Sequence, residues 1–102
     1  MDIHQEIDDL VKTNRVVLFM KGNPQFPQCG FSSRTVEALN ACEAEFVHVD
    51  VLQQPEVRQN LPAYSQWPTF PQVFIDGELV GGCDIVLDLY QRGELKDMVQ
   101  QT

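Results

Sequence analysis

The three cysteines, Cys29, Cys42 and Cys83, carry the sharpest intrinsic chemistry in this sequence. They are too few and too widely spaced for a disulfide scaffold, and an odd count leaves one unpaired. Reduced thiols in a cytosolic setting are the expected state. No two of them form a CxxC pair, which excludes a zinc ribbon and ordinary two-cysteine redox cycling. Cys29 is the most informative. It follows a continuous apolar run and a loop, and it stands where a helix is predicted to start. Unpaired N–H groups and the helix dipole favour an anion at such a position. Lys21, at the other end of the same loop, can approach the sulfur. Together they lower a thiol from its reference pKa of about 8.5 and make it both nucleophile and metal ligand. The competing reading is a small buried hydrophobe. The neighbours Gln28, Gly30, Ser32 and Ser33 argue against a buried site. Ser32 cannot resolve a mixed disulfide, so a disulfide at Cys29 needs Cys83, Cys42 or an external thiol. Cys42 lies roughly 20 Å further along the same helix and reads as core.

The elements that must position Cys29 follow from hydrophobic spacing. Ile3, Ile7, Leu10 and Val11 predict an amphipathic helix over 2–13, ended by Asn14. Val16 to Met20 is apolar and rich in β-branched residues, as in a central strand buried on both faces. Glycine and two prolines punctuate the loop from Lys21 to Gln28. A helix follows from about Cys29 to Cys42. Phe46 to Val51 predicts a second strand, and Pro55 suits the first turn of a short helix carrying Val57, Arg58 and Leu61. Tyr64 to Pro71 reads as a loop rich in proline and aromatics. Asp76-Gly77, between Val73-Phe74-Ile75 and Glu78-Leu79-Val80, is a strong hairpin signal. Gly81-Gly82 precede Cys83 and Asp84, with Asp84 expected to cap a helix that Gly93 ends. A last short helix holds Leu95, Met98 and Val99. The first strand–helix–strand unit requires a right-handed crossover and a parallel pair. The expectation is an α/β domain over 1–102, with a mixed four-stranded sheet flanked by helices on both faces.

The chain has 102 residues, with fifteen acids against seven bases and a formal net charge of −8. No basic run is present, which argues against a nucleic-acid surface. The longest apolar run is far below the ~18 residues that span a bilayer. The acidic N-terminus resembles neither a secretory signal nor a transit peptide, and the expected location is the cytoplasm. An anionic ligand must therefore be held by a local cationic pocket working against the field of the whole molecule.

The segment from Lys21 to Ser32 resembles the KGxPxxPxCGFS signature of monothiol glutaredoxins. Trp67 to Gln72 and Gly81 to Ile85 are similar to that family's WPTFPQ and GGxDI segments. Three motifs in the right order over nearly the whole chain make the resemblance specific. It implies the thioredoxin fold, glutathione as a ligand, and a [2Fe–2S] cluster held by a dimer. Lys21 and Arg58 are the implied partners of the glycyl carboxylate of glutathione. Pro71 resembles the cis-proline that faces the active thiol, with the Phe70 backbone beside the sulfur. The N–H groups of Cys83 and Asp84 are candidates for the γ-glutamyl carboxylate, and the Asp84 carboxylate for the ammonium. Cys83 is expected to act through its backbone, with disulfide resolution as the lesser option. Trp67 and Phe31 are expected at a pocket rim or dimer surface, and Tyr64 in ordinary packing. His4 and His48 pair with nothing near Cys29.

An iron–sulfur cluster usually needs four thiolates, and this chain offers one. The resemblance implies that two Cys29 and two glutathione thiols supply the set across a homodimer. It also implies a carrier that passes the cluster to acceptor apoproteins, with BolA-like proteins as partners. The alternatives are a glutathione-dependent thiol–disulfide oxidoreductase working through Cys29 alone and a non-catalytic binding module.

Overall fold

The computed structural model describes residues 2–100. In chain order the elements are α1 (Ile3–Thr13), β1 (Val16–Met20), α2 (Gly30–Ala41), β2 (Val47–Asp50), α3 (Pro55–Ser65), β3 (Gln72–Ile75), β4 (Glu78–Gly81), α4 (Cys83–Gln91) and α5 (Glu94–Gln100). The strands lie in the order β2-β1-β3-β4. β1 and β2 are parallel, and β1–β3 and β3–β4 are antiparallel. This is the mixed four-stranded sheet that the hydrophobic pattern requires.

β1 explains the two-sided architecture. All five of its side chains are buried, and their period of two divides them between two cores. Val16, Leu18 and Met20 pack with Val36 and Leu39 of α2, Val86 of α4, and Leu95 and Val99 of α5. Val17 and Phe19 face the other way, against Ile7 and Val11 of α1, Leu61 of α3 and Phe74 of β3. The turn between β3 and β4 has positive φ at both central residues, 54° at Asp76 and 81° at Gly77, as the tight hairpin turn demands. Arg15 clasps this turn to the last helix. Its Nε donates to Asp76 Oδ1 at 3.1 Å, and its guanidinium also donates to the carbonyls of Met98 and Val99.

Several local expectations shift. α1 starts at Ile3, with Asp2 as its cap accepting from the Gln5 N–H. β2 is shorter than 46–51. α3 runs through Pro62 to Ser65, so Tyr64 and Ser65 are helical rather than loop. Pro62 removes only the one N–H that would meet the Arg58 carbonyl, and fully buried Leu61 anchors the turn on either side. Asp84 does not cap α4. Gly82 is the cap residue, its carbonyl accepting from the Val86 N–H, and Asp84 sits inside the first turn.

Candidate functional site

β1 ends at Met20, and the loop from Lys21 to Gln28 folds back tightly before α2. Gly22 and Pro27 form an isolated antiparallel bridge. The Gln28 N–H donates to the Lys21 carbonyl at 2.9 Å, and Asn23 Oδ1 accepts from the N–H groups of Gln25 and Phe26. Gly22 has φ 90°, and a Cβ there would stand 2.6 Å from the Phe26 carbonyl oxygen; the fold of this loop therefore requires glycine. The Gly22 N–H donates to Asp50 Oδ1 at 3.0 Å, tying the loop to the end of β2.

This loop delivers Cys29 to the cap position of α2, partly exposed. Its thiol is held below the ordinary cysteine value. The first cause is the backbone N–H of Ser32, followed by the Phe31 N–H, the Lys21 charge and the Ser32 hydroxyl, with partial burial acting in the opposite direction. No N–H of the first turn makes a strict capping hydrogen bond to the sulfur. The attraction is therefore the electrostatic pull of an open helix start. Ser32 departs from the sequence expectation. It is fully buried, and its Oγ accepts from the Lys21 N–H at 3.1 Å. It pins Lys21 beside the thiol and marks no exposed polar surface.

Cys29 opens onto a cleft of about 830 Å³. Lys21, Arg58, Phe70, Cys83 and Asp84 all line it, as do Phe31, Trp67 and Pro71. The structure thus brings together every residue that the sequence singled out for the site. They come from the α2 loop, α3, the segment before β3 and the start of α4. The Phe70–Pro71 peptide bond is cis. Two cations and one carboxylate face the cleft, and among the described residues neither Lys21 nor Arg58 is in an ion pair. The molecule is acidic and this opening is locally cationic. Gly82 keeps the far wall open: a Cβ there would meet Trp67 Nε1 at 3.2 Å and the Pro71 carbonyl at 3.3 Å.

Pro62 also lines the cleft and carries no signal in the sequence, while Thr69 and Ile85, which line it too, lie within the WPTFPQ-like and GGxDI-like segments without a role assigned to their side chains. Gln72, the last residue of the WPTFPQ-like segment, has a role that its residue type does not suggest. Fully buried at the start of β3, it donates from Nε2 to the carbonyls of Trp67 at 3.0 Å and Thr69 at 3.1 Å. It shapes the wall that presents Phe70. Its place at the end of the WPTFPQ-like segment is the signal that marks it.

The other singled-out residues lie elsewhere. Cys42 is buried at the far end of α2, and burial pushes its thiol up against the opposing charge of Lys96. Tyr64 packs edge-on to His4, and its hydroxyl donates to Asp8 Oδ1 at 2.7 Å. Burial first, then this bond to the carboxylate, pushes it up to about 12. His48 lies exposed on the edge strand β2.

The sequence profile described as Glutaredoxin matches residues 16–80. This chain belongs to the glutaredoxin family. Glutaredoxin 4 of Escherichia coli (strain K12) is 52% identical over 98 residues, covering 96% of this chain and 85% of that relative. The fold is the thioredoxin fold of solved glutaredoxins. A monomeric truncated mutant of Trypanosoma brucei 1-C-Grx1 superposes with a TM-score of 0.86 at 42% identity, covering 98% of this glutaredoxin and 91% of that chain. A buckwheat glutaredoxin, solved as a complex with glutathione, gives 0.83 at 28% identity, covering 96% and 87%.

Proposed function

We propose that this glutaredoxin is a monothiol, CGFS-type member that binds glutathione in the Cys29 cleft and carries a [2Fe–2S] cluster as cargo. The observation that carries this reading is a single activated thiol at the mouth of a cationic cleft, with a buried serine where a second cysteine would have to stand. Lys21 and Arg58 pair with the glycyl carboxylate of glutathione. The backbone at Phe70 meets its cysteinyl amide, and the first N–H groups of α4, at Cys83 and Asp84, meet its γ-glutamyl carboxylate. The Asp84 carboxylate accepts from the ammonium. The pocket thereby sets the glutathione sulfur beside Cys29.

No group of three or more Cys, His, Asp or Glu side chains suited to a metal ion occurs among the described residues. In this reading each chain supplies one thiolate, that of Cys29, to the cargo. Two copies supply two Cys29 and two glutathione thiols across a two-fold axis, which completes the usual set of four. Both glutathiones are exchangeable and both cysteines lie at the surface, so the cluster can pass to acceptor apoproteins. Mixed complexes with BolA-like proteins and a cytoplasmic location belong to the same reading, as does a single glutaredoxin domain over 1–102.

The lowered thiol at Cys29 favours a second reading, a weak glutathione-dependent oxidoreductase. The Cys29 thiolate attacks the glutathione sulfur of a mixed disulfide and releases the substrate thiolate. A second glutathione thiolate then attacks the Cys29–glutathione disulfide, leaving glutathione disulfide and free Cys29.

Anaerobic reconstitution with iron, sulfide and glutathione, read by visible absorbance and mass, separates the two. A coloured dimer that is lost in Cys29→Ser supports the carrier. A colourless monomer with rapid, Cys29-dependent turnover of a glutathionylated substrate assigns the oxidoreductase instead. Neither result leaves a binding module.

A further inference from the structure

A second opening lies on the α1–α3 side of the sheet, between α1, β2 and the first turn of α3. It measures about 500 Å³. Ile3, Leu10, Val49 and Val57 wall it over a floor of Phe19, and all five belong to the α1–α3 core or its partly buried margin. The apolar surface continues past the groove. The β1–β2 register pairs Val47 with Val17 and Val49 with Phe19, so both valines face this side, and Val47 is 39% exposed. Glu6 and Glu56 stand at the rim, both exposed. Among the described residues neither makes an ion pair, and no lysine, arginine or histidine lines the groove. Arg58, next in the chain to Val57, lines the Cys29 cleft instead.

From this geometry we infer that the groove is a docking site for a basic amphipathic segment of a client protein, one that sets apolar side chains beside lysine or arginine. The charge selects this occupant. A second copy of the chain brings a net charge of −8 to an acidic rim, and an anionic lipid surface is repelled in the same way. An apolar face bordered by cations satisfies both the walls and the two unpaired carboxylates. Location gives the docking a purpose. Val57 and Arg58 are consecutive residues of the first turn of α3, one facing the groove and the other the cleft. A segment seated in the groove therefore holds the rest of its protein next to Cys29. That the bound protein is a client of Cys29 rests on the function proposed above; docking in the groove does not.

The test uses the isotope-labelled, glutathione-loaded full chain. Two synthetic peptides serve as probes: one with leucines on one face and lysines on the other, and its counterpart with glutamates for the lysines. Amide shifts are followed by NMR, and no cluster or turnover is involved. The lysine peptide is expected to bind saturably and to shift Ile3, Glu6, Leu10, Val49 and Val57, while the glutamate peptide does not bind. Glu6→Gln with Glu56→Gln should weaken the lysine peptide about five- to tenfold, the scale of two partly exposed ion pairs. Glu6→Lys with Glu56→Lys should reverse the preference between the peptides. The inference is overturned by non-saturating shifts spread over the surface, by shifts confined to the Cys29 cleft, or by equal binding of both peptides. It is equally overturned by an affinity that ignores the glutamine pair, or by shifts at the groove that appear on concentrating the protein alone. Glutathione affinity, measured separately by calorimetry, reports on the function proposed above and stays independent of these outcomes.

Discussion

The two ends of α2 carry the same side chain in opposite settings. Cys29 opens the helix, half-covered, facing unpaired N–H groups and Lys21, and its thiol is drawn down. Cys42 closes the helix at 2% exposure, its carbonyl accepting from Gln100 Nε2 at 2.9 Å, and burial pushes its thiol up. At the N-terminal end an anion meets donors, whereas at the C-terminal end it meets carbonyls and hydrocarbon. Thiol chemistry in this chain is thus a property of position on one helix, and only one of the two cysteines is placed to react.

Substitution at each end of α2 should have the largest effects. Cys29→Ser should abolish glutathione-dependent turnover and cluster assembly together. Cys42→Ala should preserve both and cost about 1 kcal/mol of stability in denaturant titration. A Cys42→Ala protein without function would overturn the contrast. Alkylation reads the contrast directly. Iodoacetamide at neutral pH should label Cys29 at least about a hundredfold faster than Cys42, because only an accessible thiolate reacts; mass spectrometry of the labelled peptides gives both rates.

Two further tests sharpen the Cys29 side. Lys21→Ala and Arg58→Ala should each weaken glutathione binding about tenfold, the scale of one charge-assisted pair. Unchanged affinity by calorimetry in both variants would refute the pocket assignment. Lys21→Ala should also move the pH midpoint of Cys29 alkylation upward, since a cation beside the thiol favours the thiolate and its removal favours the thiol. This is the smallest effect, because the backbone N–H of Ser32 acts more strongly than Lys21. A midpoint that falls in the variant would show that Lys21 does not face the sulfur.

Much of the fold was legible because it depends on local signals that agree with one another. The apolar run at β1 has no polar residue to expose, so it had to be central. Asp76-Gly77 supplies two positive-φ positions between strands of matching period. The departures have identifiable physical causes. Asp84 looked like a cap by residue type, but Gly82, placed against Trp67 and Pro71, starts the helix two residues earlier. α3 outlasts Pro62 because Leu61 is locked in the core and a single missing N–H does not end a helix held by its other contacts. Ser32 and Gln72 are polar residues with buried roles. Residue type reports polarity, whereas burial depends on which backbone groups arrive from elsewhere in the chain.

Residue types and their spacing fix the order of the elements, the excess of acid, the placement of the Cys29 thiol at a helix start and the serine that denies it a partner three residues on. Each of these follows from residue type and short-range spacing. Packing in three dimensions is what makes Lys21, Arg58, Phe70 and the start of α4 converge on Cys29, and what sets a cationic cleft and an acid-rimmed apolar groove on either side of the first turn of α3 in one acidic molecule. Convergence of residues more than fifty positions apart is set by how the two sides of β1 are filled, and no local pattern encodes it.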